Sequence, residues 1–248
     1  MLAKKQLSRP TWAIEAFSLP PARDVKGRTR WTHRHATWVP HLNRIAFTES
    51  RNEFISLLSL EFLLNRNLIR RFKEQPFTLP KEELGFEYTP DFCLEDTEGN
   101  LYVIEVKTQR FLTRDIENRL ADVRSCLASH GINFRIWTDK TPLVKTLRHN
   151  LLCLKKFSLE SFRTDERDLL NGQINQIGSV AIGELLKMGV DLGLIYASIY
   201  KGSAHSDIQN KFTLDSRISS TNIQPIDRVL LGSCASNDSW WDSLVEVK

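Results

Sequence analysis

The stretch Tyr88-Thr89-Pro90-Asp91-Phe92-Cys93-Leu94-Glu95 decides the reading of this chain, together with Leu101-Tyr102-Val103-Ile104-Glu105-Val106-Lys107-Thr108, which lies just beyond Asp96-Thr97-Glu98-Gly99-Asn100. Two β-rich runs flank residues of turn-forming type, the pattern of an antiparallel hairpin. Side chains alternate along a strand, so Val103, Glu105 and Lys107 share one face while Tyr102, Ile104 and Val106 share the other. At about 3.3 Å per residue, Glu105 and Lys107 stand roughly 7 Å apart on the same side. Pro90 puts Asp91 at the start of the first strand, across from the 105–107 end. Two carboxylates and one ammonium therefore converge at the strand ends. Those are the ingredients for holding Mg²⁺ by hard oxygen ligands and orienting a water. A Glu-x-Lys on a strand also suits a solvated face or a cross-strand ion pair, and the hairpin by itself leaves both readings open.

Working outward, residues 50–67 place Phe54, Leu57, Leu58 and Leu64 at helical spacing, with Ile55, Leu60 and Leu63 filling the flanks, which predicts a well-buried helix. Glu53 lies one turn from its start. Ser50-Arg51-Asn52-Glu53 fits a capping box, so Glu53 is either a cap partner or a third carboxylate for the site. Residues 69–79 read as a strand ending at Pro80. Residues 115–130 read as a helix with Ile116, Leu120, Val123 and Leu127 on one face, stopped by Gly131. Residues 133–138 form a further strand, Phe134 and Ile136 alternating with Arg135 and Trp137. Helix, strand, hairpin, helix, strand describes an α/β core. Gln75 is a candidate contact to site or substrate, or a strand-edge amide.

Residues 1–22 read as an arm interrupted by Pro10, Pro20 and Pro21, with Trp12 and Phe17 able to staple it onto a surface. Residues 23–44 carry Arg23, Lys26, Arg28, Arg30, Arg34 and Arg44 against the single Asp24, interleaved with Trp31, His33, His35, Trp38 and His41. Basic side chains among aromatics attract a phosphate backbone and exposed bases, which makes Arg28, Arg30, Arg34 and Arg44 candidate DNA contacts. The plainer reading is a solvated loop with its tryptophans tucked inward.

The total charge of +4 on 248 residues says little, but its distribution says more. Residues 1–164 hold 27 basic and 19 acidic side chains, whereas 165–248 hold 7 and 11. A polyanionic partner suits the first part and not the second. Hydrophobic content of 41% and charged content of 26% are ordinary for a globular chain. The basic N-terminus lacks a following apolar region, and Glu61, Glu184, Lys187 and Asp191 interrupt the longest apolar runs, so neither signal peptide nor membrane span is expected. Cys93, Cys126, Cys153 and Cys234 form no C-x-x-C pair, which disfavours zinc and disulfides and fits a reducing cytoplasm.

Beyond a helix over 143–156, the spacing predicts a short charged helix over 161–171 and helices over 180–188 and 192–200, with Gly189-Val190-Asp191 turning between the last two. Residues 211–214 and 217–223 are the expected strands of a wing. A groove-reading helix presents Arg, Lys, Asn or Gln. Leu194, Ile195, Tyr196, Ile199 and Tyr200 present an apolar, aromatic face instead, which favours core packing and protein contact. Trp240-Trp241 in the acidic tail suit docking onto a partner or back onto the chain.

Taken in order, these residues resemble the PD-(D/E)xK nuclease core, and more closely the TnsA-type transposon endonucleases. The resembling segments are Glu49 to Glu53, Glu74-Gln75-Pro76, Tyr88 to Phe92, Val103 to Lys107 and Trp137 to Lys140, within residues 45–140, and the order of the later elements agrees to near 220. Some members carry Gln where Glu105 stands; Glu105 is the general nuclease form. The resemblance implies a restriction-endonuclease-like mixed sheet flanked by helices, with a winged-helix-like C-terminal domain. It divides the chain into an arm (1–44), a nuclease domain (45–150) and a partner-binding domain with tail (151–248). It implies a Mg²⁺-dependent DNA endonuclease, Mn²⁺ substituting, that hydrolyses one strand, the 5′ side, at each transposon end. Glu53, Asp91 and Glu105 would hold metal with the Val106 carbonyl, and Lys107 would act on the attacking water. Implied partners are double-stranded transposon-end DNA, a TnsB-like transposase and a TnsC-like AAA+ ATPase, in a cytoplasmic, nucleoid-associated setting. A stand-alone restriction or repair nuclease and a catalytically silent DNA-bridging adaptor are the alternatives.

Overall fold

The computed structural model describes residues 10–22 and 34–221. Arg28, Arg30, Trp31, His33, Cys234 and Trp240-Trp241 lie outside the described residues. The chain forms two compact units that divide after Arg148.

In the first unit, a short helix α1 (Thr11–Glu15) precedes a hairpin of β1 (His35–Val39) and β2 (Arg44–Thr48). The hairpin stands where the composition predicts a basic loop. Its turn is a 3₁₀ segment, Pro40–Leu42, closed by Asn43 at φ 48°, a left-handed conformation that Asn tolerates. Helix α2 (Arg51–Asn65) comes next, its Ser50 side chain accepting the Glu53 backbone N–H. Residues Ile55 to Leu63 are all buried, so this helix is covered on every side rather than along one stripe. It touches the β1–β2 hairpin and the main sheet. Buried Ser56 and Ser59 satisfy their hydroxyls on the carbonyls of Asn52 and Ile55, at 3.0 and 2.9 Å. Each fully buried Leu, Ile or Phe of this helix contributes about 1.5–3 kcal/mol.

The main sheet contains β3 (Ile69–Glu74), β4 (Phe92–Asp96), β5 (Leu101–Lys107) and β6 (Asn133–Thr138), in that spatial order. The first two pairings are antiparallel and β5–β6 is parallel, so the sheet is mixed. The β4–β5 hairpin forms where the sequence predicts it. Asp96 Oδ1 accepts the backbone N–H groups of Glu98 and Asn100 at 2.9 and 2.8 Å, and Gly99 supplies the positive φ of 87° that closes the turn. A four-residue helix α3 (Lys81–Leu84) precedes β4. A parallel neighbour requires a crossover, which is supplied by α4 (Arg114–Ser129) with Leu120, Val123 and Leu127 turned inward. Among the described residues no helix is long and apolar enough to cross a membrane.

The arm is partly structured. Trp12 packs on Phe77 with ring centroids 4.5 Å apart, Arg71 lies over Phe17 at 4.2 Å, and Lys73 donates to the carbonyls of Leu19 and Pro20. Trp12 and Phe17 thus staple residues 10–22 beside β3.

The unit boundary falls inside α5 (Lys145–Phe157). The second unit continues with α6 (Thr164–Ile177), β7 (Ser179–Ala181), α7 (Ile182–Lys187), α8 (Leu192–Lys201) and β8 (Arg217–Ser219). Two expectations are corrected. Helix α6 runs well past 171, and residues 211–214 are not a strand: β8 pairs with β7 instead. The Leu214 carbonyl accepts the Gly183 N–H at 2.7 Å, and the approach is close: a Cβ added at Gly183 would lie 3.2 Å from that oxygen, so Leu214 would have to give by a few tenths of an ångström to admit one. Leu194, Ile195, Ile199 and Tyr200 of α8 are buried in this unit's own core, and Tyr196 packs between Phe157 and Phe212 at 5.8 and 5.5 Å.

Candidate active site

Three pieces of the first unit meet at the open end of the β4–β5 hairpin. Asp91 precedes β4, and its Oδ2 accepts the backbone N–H of Val106 at 2.7 Å. Glu105, only 4% exposed, accepts the Tyr88 hydroxyl at 2.5 Å through Oε2 and pairs with the Lys107 ammonium through Oε1. The shared face read from the sequence is therefore real, and the two side chains close their strand spacing into an ion pair. Helix α2 is tied to the same end of β5: Asn52 donates to the Thr108 hydroxyl at 3.1 Å and to the Lys107 carbonyl at 3.4 Å.

Glu53 stands at the capped start of α2, but its carboxylate bonds the residue before the Ser50 cap rather than completing a capping box. Its Oε2 accepts the Glu49 backbone N–H at 2.9 Å while its own N–H is capped by Ser50 at 3.1 Å. It also belongs to the site electrostatically. Burial raises the Asp91 carboxyl well above the usual carboxylate range, and the neighbouring charges of Glu105 and Glu53 raise it further; Lys107 and the Val106 N–H oppose them without winning. Burial works against the Lys107 charge, yet Glu105, Asp91 and Glu53 together hold its pKa above the ordinary lysine value. The Tyr88 phenol is raised by burial and then by Glu105 and Asp91, so it stays a neutral donor.

This is a cluster with more negative charge than Lys107 neutralises. Its donors are oxygens, the chemistry of Mg²⁺ rather than of a soft metal. A divalent cation would relieve the repulsion that Glu105 and Glu53 exert on Asp91. Glu53, Asp91 and Glu105 do not bring one oxygen each within 4.8 Å of one another, and among the described residues only Glu83, Cys126 and His130 form such a group.

Several site neighbours received no role from the sequence. Tyr88 and Asn52 fall within the resembling segments Tyr88 to Phe92 and Glu49 to Glu53, but no motif there assigns either of them a role. Arg51 opens α2, and Arg148 has its pKa lowered by burial and by the Arg51 charge, with Asp139 opposing. Asp139 also accepts the Gln109 N–H at 2.7 Å, tying the ends of β5 and β6. Gln75 is buried at φ 44°, its N–H on the Asp91 carbonyl and its carbonyl on the Ala22 N–H, both 2.8 Å, so its backbone positions Asp91. Of the candidate DNA contacts, Arg44 is engaged in a two-pronged pair with buried Glu74, one contact being 2.7 Å, and Arg34 lies 3.9 Å from Glu49.

No protein-family model matches the chain, and no curated protein matches it.

Proposed function

We propose that this chain is a Mg²⁺-dependent DNA endonuclease of PD-(D/E)xK type, acting at transposon ends as TnsA-type enzymes do. The carrying observation is the convergence of Asp91, Glu105 and Lys107 on one hairpin end, with Glu53 near enough to perturb both Asp91 and Lys107. The mixed sheet with its parallel β5–β6 pair and the packed helices α2 and α4 support a restriction-endonuclease-like core. The order α6, β7, α7, α8, β8, with β7 and β8 paired, supports a winged-helix-like second unit.

When bound, Mg²⁺ supplies Lewis-acid stabilisation of a phosphodiester and lowers the pKa of a water. Asp91 and Glu105 would hold it, with Glu53 and the Val106 carbonyl completing the oxygen set. Tyr88 and the Val106 N–H fix the orientation of those carboxylates by hydrogen bonds. Lys107, released from Glu105, positions the attacking water and offsets charge on the phosphate. Arg51 and Arg148, whose charges sense each other, are the candidate contacts to the phosphates of the scissile strand.

The separation of the three acids and the Lys107–Glu105 pair suit an enzyme that is quiet alone and assembles its site with DNA, a TnsB-like transposase and a TnsC-like ATPase. The test is cleavage of transposon-end DNA with Mg²⁺, with and without those partners, comparing wild type with Asp91→Ala. Loss of 5′-side cutting in the variant supports the reading. Undiminished cutting refutes the site. Cutting of bare DNA without partners would identify a stand-alone nuclease instead.

A further inference from the structure

A second constellation in the first unit joins three different donor types. Glu83 lies in α3, while Cys126 and His130 stand one turn apart at the end of α4, so their side chains share a face. The Cys126 thiol donates to Glu83 Oε2 at 3.3 Å, and His130 Nε2 lies 3.2 Å from the same oxygen. The Sγ, Nε2 and carboxylate oxygen all lie within 4.8 Å of one another. A surface Glu–His pair alone contributes little and would not need the thiol. Here the second carboxylate oxygen is oriented as well, accepting the Trp12 indole N–H at 3.3 Å, and the Trp12 ring meets the imidazole edge-on at 5.5 Å. Ligating carboxylates are characteristically held by an outer donor of this kind.

We infer that Glu83, Cys126 and His130 form a Zn²⁺ site, with water in the fourth tetrahedral position. The donor set selects the metal: thiolate, imidazole and carboxylate suit borderline-soft Zn²⁺ and not Mg²⁺. The Sγ–Oε2 and Nε2–Oε2 spacings of 3.3 and 3.2 Å agree with ordinary Zn–S, Zn–N and Zn–O lengths, which put tetrahedral ligand atoms about 3.3–3.6 Å apart. On binding, the Cys126 proton leaves to solvent and its sulfur electron pair goes to the metal. The ion would join α3 to α4 and, through Trp12, fasten α1 to both. Sequence motifs do not mark the site, because Glu83 is 43 residues from Cys126. The Cys153–His149 pair, 3.6 Å apart, has no third ligand atom in reach among the described residues and serves as a control.

The experiment strips the full chain with a chelator and titrates it with Zn²⁺ alone and Co²⁺ alone. Wild type is expected to retain one equivalent of Zn²⁺ through gel filtration and, with Co²⁺, to show tetrahedral ligand-field bands plus a thiolate charge-transfer band. Cys126→Ser should abolish that band, and His130→Gln should weaken the ligand-field bands; circular dichroism melts confirm that each variant is folded. Trp12→Phe keeps the packing but removes the outer donor, and should lower Zn²⁺ affinity about 10-fold. Asp91→Asn should leave the Co²⁺ spectrum unchanged, which separates this site from the proposed nuclease centre. Absence of a charge-transfer band in wild type, its survival in Cys126→Ser, or its loss in Cys153→Ser would each overturn the assignment.

Discussion

The Asp91 carboxylate accepts the backbone N–H of Val106 at 2.7 Å, which fixes an acid from the start of one strand against the residue between Glu105 and Lys107 on the next. The position is costly for a charge, since burial, Glu105 and Glu53 all raise the Asp91 pKa. A carboxyl raised in the folded state binds its proton more tightly there than in the unfolded chain. Its penalty is therefore absent in acid and grows as pH climbs through the ordinary carboxylate value of about 4 toward neutrality. Without divalent ions, Asp91→Asn should be more stable than wild type at neutral pH by on the order of 1 kcal/mol, and no more stable in acid. Urea denaturation at the two pH values measures this, and added Mg²⁺ should stabilise wild type alone.

Lys107 is the cation of the cluster, and the surrounding acids keep its pKa above the ordinary lysine value. Being raised, it contributes stability at every pH below about 10 and loses it only as pH rises further. Mg²⁺ held by the acids would remove that support and leave the amine better able to take part in proton transfer. Lys107→Ala should lower cleavage by about 10²–10⁴-fold while leaving DNA binding in place. Lys107→Arg should not rescue it, because a guanidinium holds its proton. Rescue by Arg in single-turnover assays would reduce Lys107 to a fixed charge.

Ser50 and Glu53 separate capping from catalysis. Ser50→Ala removes the hydroxyl that accepts the Glu53 N–H and should cost about 1 kcal/mol of stability with cleavage retained. Glu53→Gln keeps an oxygen able to accept the Glu49 N–H but loses the charge. It should fold normally and cleave poorly. A Glu53→Gln enzyme with wild-type activity would confine Glu53 to its bond with the Glu49 N–H.

Legibility tracks the range of the interactions. Helix α2, its Ser50 cap and the β4–β5 hairpin are local patterns, written in apolar spacing, a Ser at the cap position and a Gly-containing turn, and all appear in the structure. The 35–48 hairpin is not legible, because its turn uses Pro40–Leu42 and Asn43 rather than a Gly pair and its strands mix His, Thr and Trp with few aliphatics. Residues 211–214 look like a strand by composition, yet tertiary bonding to Gly183 draws Leu214 elsewhere. Within the site, Glu105 and Lys107 follow from strand alternation. The Tyr88 hydroxyl, the Asn52 amide and the effect of the Arg51 charge on Arg148 depend on how α2, α5 and the sheet ends are brought together, which no short window encodes.

The basic surroundings of Arg44 suggest a DNA contact, whereas its partner argues for a structural role. Glu74 is 4% exposed, and both of its oxygens face the Arg44 guanidinium. Removing one member of such a pair leaves the other's desolvation uncompensated, at a cost of about 1–3 kcal/mol, moderated here because Arg44 is itself partly open to solvent. Arg44→Ala should therefore lower the urea midpoint with the m-value unchanged, and Arg44→Ala with Glu74→Leu should recover most of the loss. The salt dependence of DNA binding provides the opposing measurement. A phosphate contact contributes about one unit to the slope of log affinity against log salt, so Arg44→Ala should leave that slope unaltered while Arg51→Ala and Arg148→Ala each reduce it. A reduced slope without loss of stability in Arg44→Ala would return this residue to the DNA-binding surface.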